Sequence, residues 1–126
     1  MEDSEIIITP LLKAKATLDE ALTIASSKLE RDGCIQRFEF CYELAWKTMK
    51  RFLNARGIEA NSPKVTFREA ARERLIDDPE KWFDFLKMRN STVHVYSEEE
   101  TISIFNKLSG FQAELDKLIK NLQKNE

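Results

Sequence analysis

RFEFCYELAWKTMKRFL, residues 37–53, decides the fold. At 100° per residue, Cys41, Phe52, Ala45, Phe38, Met49, Tyr42, Leu53 and Trp46 gather into one broad stripe. That period belongs to a helix with one face on a core. The element it defines runs from about Cys34 to Arg56, and Gly57 offers a left-handed stop. Phe40 and Leu44 fall outside the stripe, among Arg37, Lys47 and Arg51. A second apolar patch asks for a second packing partner, either another helix of the same bundle or a second subunit.

Working outward, the same helical period recurs. Thr9-Pro10 reads as an N-cap followed by proline at the first helical position. Leu11, Leu18, Leu22, Ala25 and Leu29 then share a face, and Gly33 is read as the end of that element. Ser62-Pro63 starts a shorter helix through about Leu75. Asp78-Pro79 starts a fourth, whose stripe is Trp82, Phe85, Leu86, Arg89 and Val93. Ser97 followed by Glu98, Glu99 and Glu100 starts a fifth, because first-turn acids offset the helix dipole. Ile104, Leu108, Phe111, Leu115, Leu118 and Leu122 form a seam with alternating four- and three-residue spacing. Such a seam packs inside a bundle or against a second subunit. The expected fold is all-α: an up-and-down bundle of about five helices in one domain, residues 1–126, with a frayed tail at about 120–126.

Composition agrees and narrows function. The chain has 126 residues, three glycines, three prolines and a net charge of −2. A general nucleic-acid coat needs a basic surplus, so any RNA contact has to be local. No apolar run approaches the ~20 residues of a membrane span, and MEDSE at the start lacks the basic flank of a secretion signal. Cys34 and Cys41 lie seven residues apart on one helix, ~10 Å at 1.5 Å per residue, too far for a disulfide. They read as reduced thiols of a cytoplasmic protein. One histidine and two cysteines give no metal-ligand spacing, so neither a metal nor a cofactor is expected.

The fourth helix carries the informative residue. Arg89 falls on an apolar stripe, and a guanidinium cannot lose its charge, so its burial demands a partner. Glu43, on the edge of the 37–53 stripe, is the candidate carboxylate. Asn90 is its polar neighbour. The only histidine, His94, and then Tyr96 follow within RNSTVHVY, residues 89–96. An extended chain from Val93 would put His94 and Tyr96 on one side. A continuing helix would instead separate His94 from Arg89 by ~140°. Arginine with histidine suits phosphodiester chemistry. The guanidinium forks onto phosphate oxygens, and an imidazole of pKa near ~6.5 moves protons at neutral pH. Cleaving RNA through its own 2′-hydroxyl wants a base and an acid, and one histidine per chain therefore points to a two-fold dimer.

RNSTVHVY fits the R-x4-H-x-Y pattern of HEPN proteins. RFEFCYELAWKTMKRFL, SPKVTFREA (62–70) and LIDDPEKWFDFLKMRN (75–90) narrow the likeness. They resemble the nucleotidyltransferase substrate-binding branch, the HepT-like partners of MNT-type minimal nucleotidyltransferases. The resemblance covers about residues 35–110. It implies a HEPN-like bundle that forms a homodimer, with an MNT-type nucleotidyltransferase antitoxin as partner and RNA as substrate. It implies metal-independent RNA cleavage by Arg89 and His94, with Asn90 and Glu43 in support. It also implies AMPylation of Tyr96 by the transferase, which silences the toxin. The alternative is a noncatalytic substrate-binding subunit of the transferase, for which Lys64, Arg68, Arg72 and Arg74 form a nucleotide- or partner-binding edge. A purely structural coiled-coil adaptor ranks last, because it leaves Arg89 unexplained.

Overall fold

A computed structural model describes residues 6–94 and 97–125. The described chain folds as α-helices with a single 3₁₀ turn: α1 (Thr9–Ile24), α2 (Lys28–Ala55), α3 (Pro63–Arg72), α4 (Pro79–Ser91), the turn Thr92–His94, α5 (Glu98–Asn106) and α6 (Leu108–Lys124). The long α2 is the spine, touching α1, α3, α4, α5 and α6.

Local chemistry sets the helix ends. Thr9 is the first helical residue rather than the cap, a shift of one position. The break after α1 falls at Ser26–Ser27, not at Gly33. Ser27 Oγ accepts the Glu30 amide at 3.1 Å, and Glu30 Oε1 accepts the Ser27 amide at 3.0 Å. This reciprocal capping box satisfies orphan amides and starts α2 well before Gly33. Gly33 therefore lies inside α2, and Leu29, read as part of the first apolar face, is 82% exposed. A Cβ at Gly33 would meet nothing within 4 Å. Gly33→Ala is expected to stabilise the chain by about 0.5–1 kcal/mol, through the helix preference of alanine and the smaller entropy of its unfolded state. A thermal melt checks this.

Gly57 behaves as expected. At φ 77 it follows the cap of α2, and the amides of Gly57 and Ile58 return to the carbonyls of Asn54 and Leu53 at 3.0 and 2.9 Å. At the end of α3 the same closure is made with Arg74 at φ 62, so that helix stops at Arg72 rather than Leu75. The predicted fifth helix is interrupted at Lys107, whose amide reaches the Ile104 carbonyl at 3.0 Å, giving α5 and α6. α6 then continues to Lys124 with Leu122 buried, so most of the 120–126 segment is helix rather than frayed tail.

The α2 stripe meets the others on an aromatic core. Phe111 of α6 is buried against Phe38 (ring centroids 4.9 Å), Phe85 (5.1 Å) and Trp82 (5.9 Å). The seam of Ile104, Leu108, Phe111, Leu115, Leu118 and Leu122 is buried within this one chain. Each large apolar side chain removed from water stabilises the fold by about 1.5–3 kcal/mol. Cys34 and Cys41 are buried free thiols, and burial pushes Cys41 up to about 12. Phe40, by contrast, remains 55% exposed on α2: no other described helix of the chain covers it. None of the described helices is long and apolar enough to cross a membrane.

Candidate functional site

The last turn of α4 brings Arg89 against α2. The Arg89 side chain keeps 28% of its surface exposed. Its Nη1 lies 3.7 Å from Glu39 Oε2, and its Nε lies 3.7 Å from Glu43 Oε2. The expected carboxylate, Glu43, is there, and a second one accompanies it. Glu39 precedes Glu43 by one helical turn, ~40° around the axis, so both reach the same spot. The i, i+4 spacing of two acids at the stripe's edge was the signal for Glu39. Both contacts exceed ordinary hydrogen-bond length. Arg89 is thus held by charge, and its Nε is buried without a hydrogen bond among the described residues.

Surrounding groups fix this pair of acids. Trp46 Nε1 donates to Glu43 Oε1 at 3.3 Å, and Lys47 Nζ stands 3.9 Å from the same oxygen. The Thr92 hydroxyl is within donating reach of the Arg89 carbonyl at 2.7 Å and of Glu39 Oε2. Glu39 therefore contacts both the guanidinium and the turn that follows it. Beneath them, the Tyr42 hydroxyl is buried without a partner among the described residues. Burial holds that phenol well above its ordinary pKa, with the Glu43 charge adding and Arg89 opposing, so it stays a neutral O–H.

α4 ends at Ser91, and neither expected backbone course for His94 is taken. The chain tightens into the Thr92–His94 turn, at three residues per turn rather than an extended strand or a continued α-helix. His94 closes that turn and is exposed. Val93 leaves the apolar stripe and is 61% exposed, because the helix that would have carried it inward has already ended. Asn90 does not join Arg89. It lines a separate cleft with Lys64 and Arg68. Tyr96 lies outside the described residues. Of the basic edge, Arg72 pairs with Glu69 at 3.4 Å, and Arg74 lies beyond the end of α3. Among the described residues, no three His, Cys, Asp or Glu side chains cluster as metal ligands do.

Comparison with known proteins agrees with this architecture. A family described as nucleotidyltransferase substrate binding protein like matches residues 8–124. A Haemophilus influenzae protein named probable ribonuclease HepT is 40% identical over 96 residues, 72% of this chain. That match spans 66% of the relative's length, just under two thirds. A crystal structure from Thermus thermophilus superposes with a TM-score of 0.83 at 33% identity, over 89% of this chain and 98% of that one. A Haemophilus influenzae structure, described as showing the fold of a substrate-binding domain of a nucleotidyltransferase, gives 0.83 at 30% identity, over 93% and 99%.

Proposed function

Because the chain belongs to the HepT-like family of nucleotidyltransferase substrate-binding proteins, we propose that it is the toxin of a HEPN–MNT toxin–antitoxin pair. In this reading it is a cytoplasmic, metal-independent endoribonuclease that works as a homodimer and is silenced when its nucleotidyltransferase partner AMPylates Tyr96. One observation carries the reading: Arg89 sits at the end of α4 with its charge held by Glu39 and Glu43 at 3.7 Å and its Nε without a hydrogen bond among the described residues, and the exposed His94 closes the next turn.

The chemistry needs both groups. His94 of one copy takes the proton of the ribose 2′-hydroxyl, whose oxygen attacks the adjacent phosphorus. The P–O5′ bond breaks as His94 of the second copy protonates the leaving oxygen. The products are a 2′,3′-cyclic phosphate and a 5′-hydroxyl. The two guanidiniums stabilise the negative charge that builds on the phosphoryl oxygens. Exposed Phe40 on α2 and Val93 beside His94 are apolar surface that a second copy would bury. An adenylate on Tyr96, two residues after His94 in sequence, would add a phosphate whose negative charge repels an RNA backbone.

The test is direct. The purified chain, in chelator, is incubated with total RNA and the new ends are mapped. Cleavage leaving 2′,3′-cyclic phosphates is expected, and pre-incubation with the partner transferase and ATP suppresses it. RNA left whole by the unmodified chain would remove the catalytic reading. A second reading then stands, favoured by the description of the Haemophilus influenzae structure: a noncatalytic subunit that presents substrate to the transferase.

A further inference from the structure

α3 and α4 leave between them a cleft of about 320 Å³ that the site at Arg89 and His94 does not use. Lys64 and Arg68 line it from α3; Phe83, Lys87 and Asn90 line it from α4. The Arg68 Cζ lies 5.4 Å from the centroid of the Phe83 ring, within cation–π range. Held by a ring rather than a carboxylate, this guanidinium keeps its forked N–H donors for an incoming oxyanion. Lys64 and Lys87 likewise form no ion pair among the described residues.

The remaining lining selects the kind of anion. Glu80 and Asp84 also reach the cleft, so three cations stand against two carboxylates. Acids on the α4 side disfavour a simple polyanion and favour a ligand that brings donors along with its phosphate, as a base and a ribose do. The Asn90 amide can both donate to and accept from a base edge. The volume is at the lower end for small-molecule sites, room for about one nucleotide and not for a duplex. Lys64 and Arg68 stand one helical turn apart, about 6 Å along the axis, close to the separation of successive phosphates on an extended strand. Asn90 follows Arg89 in sequence but points ~100° away from it around α4, so the cleft lies along the same helix as the motif without including Arg89.

We propose that this cleft binds one nucleotide unit, with its flanking phosphates on Lys64 and Arg68 and its base at Phe83 and Asn90. Resting on the ribonuclease reading, the unit belongs to the RNA strand that is cut. A free nucleotide shares this chemistry, and competition separates the two sources.

The probe is a short fluorescein-labelled single-stranded RNA, its anisotropy read on the full His94→Ala chain so that no strand is cut. Adding Lys64→Ala and Arg68→Ala is expected to weaken binding about 25-fold near ~0.1 M salt, and to lower the salt slope by about 1.4, at about 0.7 per phosphate released. Arg72→Ala with Arg74→Ala, which removes the same charge outside the cleft, should change binding less than about twofold. Equal loss in both pairs, or none in the first, overturns the proposal. So does a cleft variant that keeps RNA but loses the transferase, which would make the surface a protein-docking site. Competition by AMP that disappears in the cleft variant assigns a free nucleotide; RNA loss without AMP competition assigns the strand. If the wild type never cuts RNA yet the cleft variant loses binding, only the ribonuclease reading fails. If the wild type cuts and the cleft variant binds and cuts equally well, only the cleft fails.

Discussion

Phe111→Ala is expected to lower the unfolding free energy by about 3–5 kcal/mol, the usual cost of emptying a fully buried aromatic site. Phe111 is 0% exposed. It stands edge-on to Phe38 of α2 and Phe85 of α4, so one ring joins three helices. Truncation removes its buried area and leaves a cavity that three helices cannot all close at once. Against a typical total of about 5–15 kcal/mol, the loss takes a large share of the stability. The thermal midpoint should fall by on the order of 10–20 °C in a circular dichroism melt. A fall of only a degree or two would mean that the helices repack freely around the gap, and that this ring is not the hub of the core.

Arg89→Met and His94→Ala should each lower RNA cleavage about 10²- to 10⁴-fold, for different reasons. His94 is exposed and closes a short turn, so its loss removes proton transfer while the melt moves within about 0.5 kcal/mol. Arg89→Met has two consequences. It removes the charge facing the phosphoryl oxygens, and it leaves Glu39 and Glu43 opposed without their cation. Because all three side chains are partly exposed, the stability loss should be about 1–2 kcal/mol rather than the full cost of a buried orphan charge. Adding Glu39→Gln and Glu43→Gln to Arg89→Met should recover that stability and none of the cleavage. Recovered cleavage in the triple variant would show that Arg89 serves only to neutralise the two acids, and would exclude it as a catalytic group. Unchanged cleavage in His94→Ala would remove the imidazole from the reaction.

Much of the bundle is legible in the sequence because its signals are local. The α2 stripe, the Gly57 stop, the Ser62-Pro63, Asp78-Pro79 and Ser97 starts, and the α6 seam each arise within one or two helical turns. Where local signals compete, the reading slips. Gly33 looks like a stop, but the Ser27–Glu30 capping box already provides a start upstream, and a glycine inside a long packed helix costs only about 1 kcal/mol. At the site, Arg89 on an apolar stripe was legible as a charge needing a carboxylate, and Glu43 as that carboxylate. Glu39 was marked only by its i, i+4 spacing from Glu43, and that Arg89 reaches both acids depends on how α4 packs on α2.

The sequence by itself determined that the chain is helical, where most helices start, and most of each apolar face, since periodicity and capping act over a few residues. It also pointed to the arginine and the histidine as the groups with unexplained chemistry. Only the tertiary structure decided that the α6 seam is consumed inside the chain while Phe40 stays bare, that the chain tightens into a 3₁₀ turn before His94, and that Asn90 faces the α3–α4 cleft instead of Arg89. Those outcomes depend on which helix lies beside which. Side chains far apart in sequence become neighbours only through packing, and no local pattern records that choice.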